Sequence, residues 1–188
     1  VLIGGYGDRC YSLTSEKATL VTHLSVVRMH AASIVLNDNT LWVTGGFYSV
    51  VLEYTEYVKM SGTTPGPDLP MGLSHHAMVA INNTCSMVIG GHNGDFSPST
   101  FFYDHNEGEW TTGPSLMQAR YRHAAGIVTD EVTAENFLAV TGGVYFGQSS
   151  TISYSGDIDG DLDSTEILQD GNWIEGKIND ANYMRKYF

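Results

Sequence analysis

A short apolar run closed by two glycines recurs along this chain, and it restricts the possible folds more than any other feature. Leu41-Trp42-Val43-Thr44-Gly45-Gly46 is the clearest copy. The others are Val1-Leu2-Ile3-Gly4-Gly5, Ser86-Met87-Val88-Ile89-Gly90-Gly91 and Leu138-Ala139-Val140-Thr141-Gly142-Gly143. The second glycines stand at 5, 46, 91 and 143, with spacings of 41, 45 and 52 residues. Fixed punctuation at a period of about 40–50 residues marks an array of like supersecondary units. Such units cannot bury their apolar faces alone and must stack on one another.

A second apolar segment precedes three of the glycine pairs, each opening on a His-Ala step. These are His30-Ala31-Ala32-Ser33-Ile34-Val35-Leu36, His76-Ala77-Met78-Val79-Ala80-Ile81 and His123-Ala124-Ala125-Gly126-Ile127-Val128. The distance from His to the first Gly is 15, 14 and 19 residues, the third lengthened by an insert around Asp130 to Asn136. Asn37-Asp38-Asn39 and Asn82-Asn83 lie between the two segments, so each pair of segments reads as a β-hairpin. The near-continuous apolar character predicts that both strands are buried on both faces. The recurrence of His30, His76 and His123 predicts one repeated structural role, a hydrogen bond to a neighbouring strand's backbone. A metal ring is the alternative for these three residues. His75 and His92 have no evident partner and are expected at the rim.

Two further strands follow each glycine pair. Thr100-Phe101-Phe102-Tyr103-Asp104, a turn at His105-Asn106-Glu107-Gly108 and Glu109-Trp110-Thr111-Thr112 form the clearest pair. Tyr54-Thr55-Glu56-Tyr57-Val58 is the counterpart in the second unit, with Thr63 where a Trp is expected. Ser164-Thr165-Glu166-Ile167-Leu168 and Trp173-Ile174 belong to the last. In the first unit, Ser15-Glu16-Lys17 is read as the third strand. The units run over residues 1–26, 27–72, 73–119 and 120–178, with 179–188 as a run-in to a further unit or a tail.

Four antiparallel strands per unit, with an aromatic in the third and a Trp in the fourth, resemble the kelch repeat. The resemblance rests on Arg120-Tyr121-Arg122-His123-Ala124, Gly142-Gly143, Thr165-Glu166 and Trp173, and on Gly90-Gly91, Tyr103-Asp104 and Trp110. It implies an all-β fold, a kelch-type β-propeller with about four four-stranded antiparallel blades in this chain. That number suits a partial ring, completed by further blades from the same or another chain, with a small ring as the alternative. A positive φ or a close neighbouring chain is the expected reason for each glycine pair.

The resemblance also sorts the loops, placing those that follow the glycine pairs and those between blades on one face. The candidate binding residues are Tyr6, Asp8 and Arg9, then Phe47 and Tyr48, then His92, Asn93, Asp95 and Phe96, then Tyr145 and Phe146. Aromatic and polar groups on variable loops of a rigid scaffold form a recognition surface. In the longest loop, Asp157, Asp159, Asp161 and Asp163 alternate and could converge on Ca²⁺, although their spacing departs from the EF-hand rule. Asn82-Asn83-Thr84 is an N-glycosylation sequon on a predicted hairpin tip of the opposite face. Cys10 and Cys85 fall on opposite faces and are expected not to bridge.

Charge excludes some partners. A net charge of −12, with 9 Lys and Arg, leaves no basic surface for nucleic acid or for an anionic membrane. The chain opens directly on a core-type strand, so its natural start is expected to lie upstream and targeting is not judged from it, while the sequon leans toward an extracellular setting. The expected function is a non-catalytic interaction scaffold that presents its post-glycine loops to a protein or glycan partner, without a cofactor. One alternative is a carbohydrate-active kelch enzyme of the galactose-oxidase or sialate-mutarotase type. Cys10-Tyr11 is the one adjacent Cys-Tyr pair for the copper chemistry of the former. The other alternative is a structural component of an extracellular assembly.

Overall fold

The structure, a computed structural model, describes residues 2–3, 7–130, 133–144 and 164–176. Among these residues there are strands and turns and no helix. Sheet I orders β1 (Leu2–Ile3), β2 (Gly7–Leu13) and β3 (Ala18–Arg28). Sheet II orders β4 (Ala32–Val35), β5 (Leu41–Thr44), β8 (Thr55–Lys59) and β9 (Gly62–Pro65). The β6–β7 ribbon (Phe47–Tyr48 and Val50–Val51) stands apart from it. Sheet III orders β10 (Ala77–Ala80), β11 (Cys85–Ile89), β12 (Thr100–Asp104) and β13 (Glu109–Thr112). Sheet IV orders β14 (Ala124–Thr129), β15 (Asn136–Thr141), β16 (Thr165–Gln169) and β17 (Asn172–Gly176). All the pairings are antiparallel between consecutive strands of a sheet.

The sheets stack in chain order, each spending one face on each neighbour. In β5, Val43 faces Cys10 and Leu24 of sheet I, while Trp42 faces Val88, Phe101 and Tyr103 of sheet III. In β11, Val88 faces sheet II, while Met87 and Ile89 pack with Leu138, Val140 and Trp173 of sheet IV. This alternation is the period of 2 of a strand, with both faces apolar because both are covered. Trp42 is fully buried, with ring centroids 4.9 Å from Tyr103 and 5.6 Å from Trp110. Aromatic area thus fills the space between two sheets, where its burial stabilises most. β10 lies beside both β4 and β14, so the first strands of sheets II to IV stand side by side in an open row.

The three glycine pairs among the described residues behave as the sequence implies. Gly45, Gly90 and Gly142 have φ of 56°, 59° and 67°, in the left-handed region. A Cβ on Gly45 would stand 2.3 Å from Leu73 O, and one on Gly90 would stand 2.7 Å from the His123 ring. Both contacts come from the segment that leads into the next sheet, so only glycine lets the sheets close to this distance.

Three expectations fail. Ser15-Glu16-Lys17 is a turn between β2 and β3, not a strand. Thr14 Oγ1 there accepts the Lys17 N–H at 3.2 Å, and the Thr14 N–H donates to Lys17 O at 2.9 Å. Local bonding by a short hydroxyl side chain competes with the ladder. The first strand of a hairpin is buried on both faces only in β10, where Met78 and Val79 enter the cores on either side; β4 and β14 alternate with exposed positions, whereas β5 is buried throughout. β4, β10 and β14 are edge strands of their sheets, with a partner on one side only.

The third correction concerns the histidines. His30, His75 and Arg122 share one position, each with positive φ (57°, 54° and 58°). The next residues, Ala31, His76 and His123, share another, each just before the first residue of its hairpin strand. The ladder fixes this register, because Ala32, Ala77 and Ala124 pair with the equivalent residues Thr44, Ile89 and Thr141. His30 therefore stands one position away from His76 and His123. The His76 Nε2 bond goes to the Thr44 hydroxyl at 2.9 Å, a side chain and not a backbone group. His123 stands against the backbone of Ile89 in the neighbouring sheet and of Arg120, as expected of it, although neither ring nitrogen reaches full hydrogen-bond geometry among the described residues.

Buried ion pairs lock the start of sheets II and IV. Arg28 Nη2 donates to Glu56 Oε1 at 2.5 Å, and Nη1 to the carbonyls of Gly45 and Tyr54 at 2.9 and 2.8 Å. Glu56 Oε2 accepts the Ser25 N–H at 2.7 Å. In sheet IV, Arg120 Nη2 donates to Glu166 Oε1 at 2.7 Å, and the Met117 N–H donates to Glu166 Oε2 at 2.6 Å. Sheet III lacks all three parts. Leu73 replaces the Arg, Phe101 the Glu, and Pro70, which has no N–H, replaces Ser25 or Met117. Leu73 and Phe101 are buried in one cluster, so an apolar contact occupies the place of the ion pair.

Candidate functional site

The edge of sheets II to IV that carries the glycine pairs is built by short backbone links. Residues after each pair bridge to the residue before the positive-φ corner: Phe47 to Met29, His92 to Ser74 and Val144 to Tyr121. The corners are linked in turn. The His75 N–H donates to His30 O at 2.8 Å, and the Arg122 N–H donates to His75 O at 3.0 Å. Three successive corners thus form one continuous row beside the post-glycine loops.

The side chains of this row meet. The His30 and His75 rings stack with centroids 3.8 Å apart at 19°. Tyr121 stands edge-on to His75 at 5.4 Å and lies against Phe96 at 4.8 Å. His92 touches Phe96 at 5.9 Å and Tyr121 at 6.2 Å. Arg122 holds its Cζ 5.3 Å from the Tyr121 ring, a cation–π distance. Burial, and then the charges of His30, Arg122 and His92, hold His75 down to about 4. The His75 Nε2 atom is buried without a hydrogen-bond partner among the described residues.

Of the sequence-predicted residues, His92 and Phe96 enter this cluster. Asn93 and Asp95 lie in the same loop and shape it: Asn93 Oδ1 accepts the Asp95 N–H at 3.3 Å, and Asp95 Oδ1 accepts the Phe96 N–H at 2.8 Å. Phe47 and Tyr48 form the β6–β7 ribbon, where Tyr48 is 49 % and Val50 63 % exposed. Asp8 and Arg9, read as a loop, stand instead on β2, with Arg9 opposite His23 in the ladder. Asp8 Oδ2 lies 3.0 Å from His23 Nδ1, which lowers the Asp8 carboxyl below its ordinary value. Tyr6, Tyr145, Phe146 and the carboxylates Asp157, Asp159, Asp161 and Asp163 lie outside the described residues. His30, His75, Tyr121 and Arg122 were not foreseen as site residues. Their signal was the residue following each Met29, Ser74 and Tyr121, one position before the segment that aligns on alanine.

The opposite edge carries the hairpin tips. Asn82 is exposed there, and its Oδ1 accepts the Thr84 N–H at 2.8 Å and hydroxyl at 3.0 Å. A cleft of about 230 Å³ between the tips of sheets II and III is lined by Val35, Asp38, Ala80, Asn82, Ser86 and His105 among others. Ser86 Oγ lies 2.8 Å from His105 Nε2, the spacing of a nucleophile and its base. The Ser86 side chain is fully buried at the wall of this cleft. Cys10 and Cys85 are free thiols. No group of three metal-ligating side chains forms among the described residues. Comparison of the chain with protein-family models and with curated proteins finds no match in either.

Proposed function

We propose that this chain is a kelch-type β-propeller region that acts as a non-catalytic interaction scaffold, with the post-glycine face as its binding surface. The observation that carries the reading is the linked row of corners His30, His75 and Arg122. It sets aromatic and basic side chains from three successive units beside one another on a rigid β frame. The stacking of sheets in chain order and the side-by-side strands β4, β10 and β14 support radial packing. A pre-organised face of this kind binds with little ordering cost.

The test is a binding screen of the purified protein against immobilised glycans and extracellular proteins, repeated with Phe96→Ala and Tyr121→Ala. Ligands retained by the wild type are expected to be lost by both variants while the thermal midpoint holds. Val35→Ser, at the hairpin tips, is expected to leave binding unchanged. Binding that survives both aromatic truncations but fails with Val35→Ser would move the site to the other edge.

A further inference from the structure

We infer that residues 177–188 dock along the glycine-bearing edge of sheet IV as the lead-in to a fifth unit, with the Tyr183 carbonyl accepting the Gly143 N–H and Arg185 forming a fourth corner of the row. These residues lie outside the described ones. The docking follows from the repetition of the units and does not depend on what the post-glycine face binds.

Two copies of the same seat show what fills it. The lead-in to sheet III passes the glycine pair of sheet II, where the Gly46 N–H donates to Leu73 O at 2.8 Å. The lead-in to sheet IV passes the pair of sheet III likewise, and the Gly91 N–H donates to Arg120 O at 2.8 Å. A Cβ on Gly45 would stand 2.3 Å from Leu73 O, and one on Gly90 2.8 Å from Arg120 O, so the lead-in presses on the first glycine of each pair. The third pair has the same backbone, with φ of 67° and 94° at Gly142 and Gly143 against 59° and 107° at Gly90 and Gly91. Gly143 meets Tyr121 O of its own unit as Gly91 meets Ser74 O, but no described residue stands within 4 Å of a Cβ on Gly142. A left-handed glycine costs chain entropy, and in the other two pairs the close approach of a lead-in is what requires it.

The chain supplies a segment in the right register. Gly66 and Gly113 bond to Thr55 and Thr100, and Gly176 pairs with the equivalent Thr165, so the three glycines hold one ladder position. Leu73 follows Gly66 by 7 residues, Arg120 follows Gly113 by 7, and Tyr183 follows Gly176 by 7. Counting on, Arg185 takes the place of His75 and Arg122, and Phe188 that of Met78 and Ala125. Met78 shares a core cluster with Trp42, whose equivalent in sheet IV is Ala139. Phe188 thus brings a large ring to a sheet face that carries a small residue, which keeps the space between sheets filled. Asn179 takes the place of the buried Leu69 and Leu116, so apolar burial falls to Tyr183 and Phe188. The row of corners continues in the same way. The His75 N–H donates to His30 O and the Arg122 N–H to His75 O, and the Arg185 N–H then donates to Arg122 O, setting a second guanidinium beside the first.

The experiment is amide hydrogen exchange followed by NMR, without ligand, on the full chain and on its Tyr183→Asp variant. In the wild type the Gly143 amide is expected to exchange slowly, as those of Gly46 and Gly91 do, and the Arg185 amide slowly, as those of His75 and Arg122 do. Tyr183→Asp should speed exchange at Gly143 about tenfold or more and at Gly46 and Gly91 less than about twofold. Should Tyr183→Asp unfold the protein, Tyr183→Ala with Phe188→Ala takes its place with the same expectation. A Gly143 amide that exchanges freely in the wild type, or one whose protection is unmoved by the substitutions, would overturn the inference. Protection of Gly143 that rises with protein concentration would overturn it too, by giving the place to a second copy of the chain. Each of these failures leaves the scaffold reading to its own binding screen.

Discussion

Glu166→Ala should be among the most destabilising single changes in the molecule, and a triple substitution that contains the same site should be nearly silent. Glu166 is buried and carries three hydrogen bonds, from Arg120 Nη2 at 2.7 Å and the N–H groups of Met117 and Gln118 at 2.6 and 3.2 Å. Truncation leaves the fully buried Arg120 guanidinium with neutral acceptors only, the Gly142 and Ser164 carbonyls and the Ser164 hydroxyl. Breaking one side of a buried pair costs about 3–5 kcal/mol, and each orphaned amide costs about 1–3 kcal/mol, not additively. We expect a loss of about 4 kcal/mol. Sheet III shows the way around the penalty, with Leu69-Pro70, Leu73 and Phe101 in the equivalent places. Arg120→Leu with Glu166→Phe removes both charges together. Met117→Pro, after Leu116 as Pro70 is after Leu69, removes one of the two amides that would otherwise lack an acceptor, the other being that of the half-buried Gln118, whose bond is the longer at 3.2 Å. The triple variant should stand within about 1 kcal/mol of the wild type, since replacing a buried ion pair by packed apolar groups is often neutral. Urea unfolding followed by tryptophan fluorescence reads all variants, with m values checked for constancy. A loss under about 1 kcal/mol for Glu166→Ala, or a triple variant as unstable as the sum of its parts, would refute the reasoning.

Other consequences are open to the same measurement. Burial, first, holds His76 down to about 3 and His123 down to about 4, against an ordinary 6.5. Both are neutral in the fold, so their contribution is complete above 6.5 and falls as the pH drops toward those values. Each loses up to about 1.4 kcal/mol per pH unit, and His123→Leu should make the acid limb of a urea-midpoint profile shallower. An unchanged slope would show that His123 is not a proton-linked site. Gly90→Ala forces a positive φ and a Cβ 2.7 Å from the His123 ring, and should cost about 3 kcal/mol. Gly108→Ala, with the Tyr103 hydroxyl at 3.8 Å as its nearest neighbour, should cost only about 1 kcal/mol for its φ. Equal losses would show that the sheets do not close on Gly90. Trp42→Ala opens the cluster between sheets II and III and should cost about 3–5 kcal/mol, or unfold the chain outright, by thermal melting.

In sheets II to IV the sequence by itself determined where the strands lie. Glycine pairs, asparagine turns and alternating apolar residues are local signals, and the hairpins Ala77–Ile89 and Thr100–Thr112 formed where those signals stood. It also carried the place of Thr63, which occupies the ladder position held by Trp110 and Trp173 in the next sheets. Only the tertiary structure decided what the histidines do. Aligning on the His-Ala step put His30 with His76, whereas the chain aligns Ala31 with them, 14 residues before Gly45 as His76 is before Gly90. The deciding quantity is a positive φ at His30, His75 and Arg122, and three different residue pairs tolerate that turn without a shared side chain. Likewise the exchange of an Arg–Glu pair for Leu73 and Phe101 spans 28 residues of chain. Residues so far apart have no local reason to covary; they are matched because one buried space can hold two opposite charges or none.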